Sequence, residues 1–402
     1  MASVIVVDNE LKDSLKEYRQ IIDSAAQNTS FSEVLNPLLE DAQLAQKQEI
    51  IAALYAHSQP ATLTKLTDKE FEPAVYLLVH ILSQLGVDLA DEKSGLYEII
   101  VESNPHTQPT IRDRKSIKST TILSILNTLF NLLPETSQTR AHIIAHILTI
   151  VEKSKLDFGL VQNSIGLHLV QWLKSSGTSE EQIRSTFWRF IALDSTFSAQ
   201  TLQLIKSFTQ SFAVSAGELT QLIKFALSSE VVDVSFLINN NVAASLAANS
   251  SDALVAAFSK YVNGDLVELS SADFADLPVA EINAKSRILS LSKFFSQQSS
   301  SADHSDIVFK YSEIPNVTSS QDFENLLVGA IKSGVVVGKL NQVEEVFYLS
   351  RVNRFVLAGN DAENTAAWNS VRSTLQEWRT SLTNINEIVK SSRENIVNNN
   401  SN

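Results

Sequence analysis

Few side chains in this sequence stand at spacings that support chemistry. His142 and His146, in His-Ile-Ile-Ala-His, lie four residues apart. On a helix both imidazoles leave one face, which is the spacing of two zinc ligands. A zinc hydrolase of that kind places a glutamate directly after the first histidine as its general base. Ile143 holds that place and no third ligand is evident, so the pair reads as two histidines on a partly buried helix. Gly329 and Gly334, in Gly-Ala-Ile-Lys-Ser-Gly, have the glycine spacing of a phosphate-binding loop. The Lys-Ser/Thr pair that should follow is missing, and the run ends a helical pattern where a phosphate loop opens one. Carboxylates are plentiful but scattered, and neither Gly-x-Ser-x-Gly nor Gly-x-Gly-x-x-Gly occurs. With no cysteine, disulfides, thiolate nucleophiles and cysteine-ligated zinc are all excluded. No catalytic residue, cofactor-binding residue or metal ligand is assigned, no cofactor is expected, and the reading is a protein that is not an enzyme.

Charge narrows the classes further. The 402 residues carry a formal net charge of −13. That opposes a general binder of nucleic acid or of an anionic membrane, which needs clustered lysine and arginine. The densest basic cluster is Arg112, Arg114, Lys115 and Lys118. It is a candidate RNA contact; the other reading is a solvated helix start that pairs with the acidic surface. The longest apolar run, residues 74–82, is far below the roughly 20 residues that span a bilayer. The first seven residues lack the positive region of a secretory signal. The expectation is a soluble, cytoplasmic chain with no membrane partner.

The elements behind these residues are mostly helical. Apolar residues recur at three- and four-residue steps over about 8–26, 31–58, 68–85, 93–102, 111–132, 137–153 and 158–174. The pattern continues over 179–193, 199–212, 215–228, 235–239 and 252–261, with breakers such as Pro60, Gly86, Pro105, Pro134 and Gly177 between segments. Thr178-Ser-Glu-Glu181 and Ser215-Ala-Gly-Glu218 read as capping boxes. Helices of this length at this spacing describe stacked helical hairpins without a strict repeat period.

The pattern changes at 307–356. Ile307-Val-Phe309 is a short strand signal, and Ser319 with Asp322 opens a helix. Phe323, Leu326, Leu327, Ala330 and Ile331 give that helix an apolar face, and Gly334 stands where a glycine ends a helix. Two β-prone runs, 335–340 and 346–352, flank a polar turn. With a preceding helix at 284–298, which turns Ile288, Leu291 and Phe295 inward, the order is that of a winged helix. A polar loop, residues 296–305, joins that helix to the strand. Residues 306–358 hold five basic and six acidic side chains. Asp322 and Glu324 stand where a recognition helix would meet phosphate, so a protein-binding winged helix is expected and direct DNA binding is not.

A last helix is expected over 361–397. Trp368, Val371, Leu375, Trp378, Leu382, Ile385 and Val389 follow one another at alternating three- and four-residue steps, a heptad stripe. One reading packs the stripe on the chain's own winged helix. The other makes it a partner-binding surface, with the tryptophans as hot spots.

Three stretches together resemble the PCI family, the scaffold subunits shared by the proteasome lid, the signalosome and translation initiation factor 3. They are Lys285-Ser-Arg-Ile-Leu-Ser-Leu291, residues 323–334, and Val337-Gly-Lys-Leu-Asn-Gln342. The segment from Trp368 to Trp378 is similar to the initiation-factor branch. The resemblance implies a mainly α fold: a helical-repeat (α-solenoid) array over 1–262, a small α+β winged helix over 263–358, and a long C-terminal helix and tail over 359–402. It implies a non-catalytic scaffold subunit that assembles with other PCI subunits and their C-terminal helices. Through that complex it would support recruitment of messenger RNA to the small ribosomal subunit. A signalosome subunit, a free helical-repeat adaptor and a nucleic-acid-binding winged-helix factor are the other readings.

Overall fold

The computed structural model describes residues 10–40, 47–91, 94–105, 116–270, 272, 274–299, 307–353 and 361–399. Its backbone contacts divide the chain into two compact units, Met1–Ser195 and Thr196–Asn402.

In the first unit the three-and-four spacing of apolar residues produces helices that bury an apolar face, and α5 is buried nearly all round, from Ala74 to Val79. These are α1 (Leu11–Ala26), α2 (Ser30–Glu40), α3 (Lys47–His57), α4 (Pro60–Leu63), α5 (Asp68–Gln84) and α6 (Leu96–Glu102). They are followed by α7 (Ser119–Leu132), α8 (Thr139–Ser154), α9 (Phe158–Val161), α10 (Leu169–Ser175) and α11 (Glu180–Ala192). Sequential neighbours pack in pairs, α1 on α2 and α7 on α8, while α5 bridges α1 and α7. Leu15, Tyr18 and Ile22 of α1 are fully buried with Phe31 and Leu35 of α2. The Tyr18 hydroxyl shares a hydrogen bond of 2.6 Å with Ser58 Oγ, so the buried phenol is satisfied. The segment expected as one helix over 158–174 is interrupted by a π turn at Gln162–Gly166.

The second unit contains α12 (Ala199–Ser211), α13 (Ala216–Ser228), α14 (Asn240–Ala248), α15 (Ala253–Val262), α16 (Val279–Ser299), α17 (Ser320–Lys332) and α18 (Asp361–Asn399). A full capping box opens α13: Ser215 Oγ accepts from the Glu218 N–H, and the Glu218 carboxylate accepts from the Ser215 N–H at 2.8 Å. The other expected box is shifted by one residue. Ser179, not Thr178, caps α11 by accepting from the Gln182 N–H.

Three strands complete the winged helix: β1 (Ile307–Lys310), β2 (Val336–Asn341) and β3 (Val346–Val352). They form an antiparallel sheet in the order β1-β3-β2, so β1 and β2 are its edges. The sheet closes over α16 and α17 through an aromatic cluster, with Phe295 stacked 4.8 Å from Phe309 and 5.3 Å from Phe347. The helix expected over 284–298 is α16; it starts five residues earlier and runs one residue further, to Ser299, into the stretch also read as a polar loop. Gly334 ends α17 at φ 74°, where a side chain is strained, and the Val335 N–H returns to the Ala330 carbonyl.

Three consecutive residues of α16 hold three different segments. Buried Lys285 donates from Nζ to the carbonyls of Leu227 (2.6 Å) and Ser229 (2.7 Å), at the end of α13. Burial lowers its pKa, with the Glu281 carboxylate opposing. Ser286 Oγ accepts from the Val267 N–H at 2.7 Å, and Arg287 pairs with Asp322 at 2.7 Å. The sequence Lys-Ser-Arg therefore fixes the approach of α16 to α13, to the preceding loop and to α17.

Candidate interaction surface

The long helix α18 carries the stripe. It runs 39 residues, about 58 Å at 1.5 Å per residue. Every described side chain on it is exposed except Thr374, which is half-buried. Trp368 is 70% exposed, Trp378 62% and Leu382 67%, and Val371, Leu375, Ile385 and Val389 are exposed with them. The structure thus brings all seven expected residues to one helix and covers none of them. Ile388, one position before Val389, is exposed as well and extends the patch. A reading confined to strict heptad positions passes over it.

The winged helix also exposes single apolar side chains. Val308 on β1 and Val337 on β2 are exposed, and Val343 at the hairpin tip is 95% exposed. On α17, Phe323, Leu327 and Ala330 are fully buried, while Val328 and Ile331 are exposed. Ile331, given to the apolar face of this helix by its spacing, is exposed in the last turn.

The start of α17 is committed to internal bonds. Asp322 accepts from Arg287, from the Thr318 N–H at 3.2 Å and from the Thr318 hydroxyl at 3.1 Å. The Arg287 guanidinium and those donors hold its carboxyl below the usual carboxylate range. Glu324 accepts from the Tyr311 hydroxyl at 3.1 Å and from Gln342 Nε2 at 2.7 Å. Ser320 donates to Glu345 at 3.0 Å. Acids that repel phosphate are here structural acceptors: Asp322 ties the helix to α16, and Glu324 ties it to Tyr311 and to the hairpin turn at Gln342.

Of the basic cluster, Arg112, Arg114 and Lys115 lie outside the described residues. Lys118 pairs with Asp68, Nζ to carboxylate 3.4 Å, and its N–H donates to the same carboxylate at 3.0 Å. Burial would raise the Asp68 pKa. The hydrogen bond from Thr121 at 2.7 Å and both donors of Lys118 outweigh burial and hold it low. Lys118 therefore joins α7 to α5 in the first unit.

His142 and His146 are half-buried on α8, between the buried Ile143, Ile144, Ile147 and Leu148. Among the described residues no group of three or more histidines, aspartates or glutamates is close enough together to hold a metal ion. Gly329 lies inside α17, where a methyl group would stand 3.1 Å from Ile288 Cδ1. It serves helix packing, since α16 crosses α17 closely at that point. Among the described residues no helix is long and apolar enough to cross a membrane.

No model of a known protein family matches the chain. Curated proteins do. The protein named eukaryotic translation initiation factor 3 subunit M from Aspergillus terreus is 24% identical over 98% of this chain and 89% of its own length. The proteins of that name from Phaeosphaeria nodorum and Emericella nidulans are 24% and 23% identical, again over 98% of this chain and over 90% and 91% of theirs. The likeness carried by the stretches between Lys285 and Trp378 is thus part of an alignment that also spans the helical array. The names describe a subunit of an initiation factor and no reaction.

Proposed function

We propose that this chain is a non-catalytic scaffold subunit of a translation initiation factor 3 complex, in the place of its M subunit. The one observation that carries the reading is the uncovered stripe on α18. Burying each of its large side chains stabilises by roughly 1.5–3 kcal/mol before ordering costs, so a helix left bare in the single chain gains most by joining others. Eight large apolar side chains exposed along one helix are what an interaction site leaves bare in the single chain. The division of labour follows the three stretches 1–262, 263–358 and 359–402. The array offers surfaces to partners. The winged helix abuts neighbouring PCI subunits through its edge strands. The C-terminal helix enters a shared bundle, with Trp368 and Trp378 as the hot spots. The complex, in the cytoplasm, supports recruitment of messenger RNA to the small ribosomal subunit, and this chain's part is geometric.

Trp378→Asp combined with Leu382→Asp tests the proposal. Both side chains are exposed in the single chain, so the circular dichroism spectrum and unfolding midpoint should stay as in the wild type. Affinity purification with mass spectrometry should recover initiation factor 3 subunits with the wild type and lose them with the double variant. Recovery of the full partner set by the variant, or of signalosome subunits by the wild type, overturns the reading.

A further inference from the structure

The apolar stripe of α18 is flanked by charge on one side only. With Trp368, Leu375, Leu382 and Val389 at heptad position a, Val371, Trp378 and Ile385 fall at d. Arg372, Arg379 and Arg393 then fall at e, at seven- and fourteen-residue steps, with Asn386 in the step between. The opposite flank, position g, is Thr374, Ser381 and Ile388, with no charge. Opposite charges on one helix meet when they are three or four residues apart. None of the three arginines has a carboxylate at either spacing, whereas Lys390 has both Glu387 and Glu394. All three arginines are exposed, and none forms an ion pair with a described residue.

We infer that the helix covering this stripe belongs to a different chain and carries a row of Asp or Glu at heptad steps along one flank, facing Arg372, Arg379 and Arg393. The inference rests on the reading of α18 as an assembly helix. Flanking charges of this kind set partner choice and register more than affinity. A second copy of this chain fits poorly in either direction. A parallel pair sets the arginines against Thr374, Ser381 and Ile388. An antiparallel pair sets arginine against arginine, which repels. Nucleic acid fits no better, because α18 holds five acids against four bases and the field along it has no net attraction for phosphate.

The test uses the full chain in its native cells, with Asn386→benzoylphenylalanine as a photoreactive probe. The probe sits on the arginine flank and leaves all three arginines in place. After irradiation and purification the crosslinked peptide is sequenced. The expected peptide comes from another chain, is amphipathic with helical spacing, and has acidic residues at seven-residue steps on one flank. Adding Arg372→Glu, Arg379→Glu and Arg393→Glu should lower the crosslink yield on the order of tenfold, as attraction becomes repulsion along the rim. Reversing the partner's acids to lysine should restore it. A peptide from this same chain, a nucleic-acid adduct, a partner without an acidic flank, or an unchanged yield overturns the inference. Trp378→Asp with Leu382→Asp, run in parallel, separates the two failures. If it abolishes the crosslink while the arginine triple does not, the assembly helix stands and the charge rule falls. If neither changes the yield, or the wild-type chain gives no crosslink, both fall.

Discussion

Gly338 shows how one missing side chain shapes the winged helix. It lies at a bulge, where the register of β2 on β3 slips between Val337 and Gly338. A methyl group there would overlap the Phe347 ring and the Tyr348 carbonyl oxygen. The ring is fully buried against Phe295 and the oxygen belongs to a paired strand, so neither can give way cheaply. Gly338→Ala should destabilise the protein by about 1–3 kcal/mol, the usual cost of overpacking. Gly217, in the first turn of α13, meets nothing within 4 Å, so Gly217→Ala should be neutral or stabilising by about 0.5–1 kcal/mol. Urea midpoints of the two variants check both signs, and equal effects would refute the packing account. Residues of the kind that follow from composition alone were legible in the sequence, such as Ser319 as a cap and Gly334 as a terminator. Partnership was not: Asp322 and Glu324 are acids by sequence, but only the fold sets Arg287, Tyr311 and Gln342 against them.

At the scale of elements, boundaries were legible where a local signal and the apolar period agree. The strands and α17 fall within a residue or so of the expected limits because caps and turn residues punctuate them. Two elements differ from the expected ones, each for its own reason. A helix is expected over 235–239, but only a short 3-10 turn, Ser235–Leu237, forms there, and the regular helix is α14, which begins at Asn240. Asn239 caps α14 through the Val242 N–H, and Asn241 donates to the Thr209 and Phe212 carbonyls at the end of α12, so the asparagines start one helix and tie it to another. In the stretch from Val161 to Leu173, the buried large apolar side chains Val161, Ile165, Leu169 and Leu173 are spaced by four, which drifts around a regular helix. The wider π turn at Gln162–Gly166 offsets that drift and leaves Leu167 outside. The stripe on α18 was fully legible, because heptad spacing needs no tertiary knowledge; whether anything covers it was not. Since α18 contributes almost no buried surface, deleting residues 361–402 should move the unfolding free energy of the remainder by less than about 0.5 kcal/mol. Thermal melts followed by far-ultraviolet circular dichroism decide this. A drop of several degrees would mean that the helix docks on its own chain.

Over the whole molecule, burial of phenols couples stability to alkaline pH in both units. In the first unit, burial and then the Asp88 carboxylate and Tyr55 push the Tyr97 hydroxyl up to about 12, while it donates to the Leu89 carbonyl at 2.6 Å. Burial also raises Tyr18 well above its ordinary value, against the opposing hydrogen bond of Ser58. In the second unit burial, aided by the Asp233 charge, raises Tyr261, whose hydroxyl donates to the Val232 carbonyl at 2.7 Å. Burial, the hydrogen bond to Glu324 and the charges of Glu324 and Glu345 push Tyr311 up to about 12. Below pH 10 the folded and unfolded chains hold these protons alike. Above it the unfolded chain releases them while the folded chain keeps them, so the unfolded state is favoured. Stability present below pH 10 is therefore lost as pH rises toward the folded values, by roughly 1 kcal/mol per buried tyrosine at pH 11. Urea midpoints at pH 9, 10 and 11 should fall in that order. Tyr97→Phe starts lower, because the bond to Leu89 is gone, but declines less steeply, since one of the linked protons has been removed. A variant whose slope matches the wild type would show that Tyr97 ionises as freely in the fold as in the open chain, and that its burial exerts no hold on the proton.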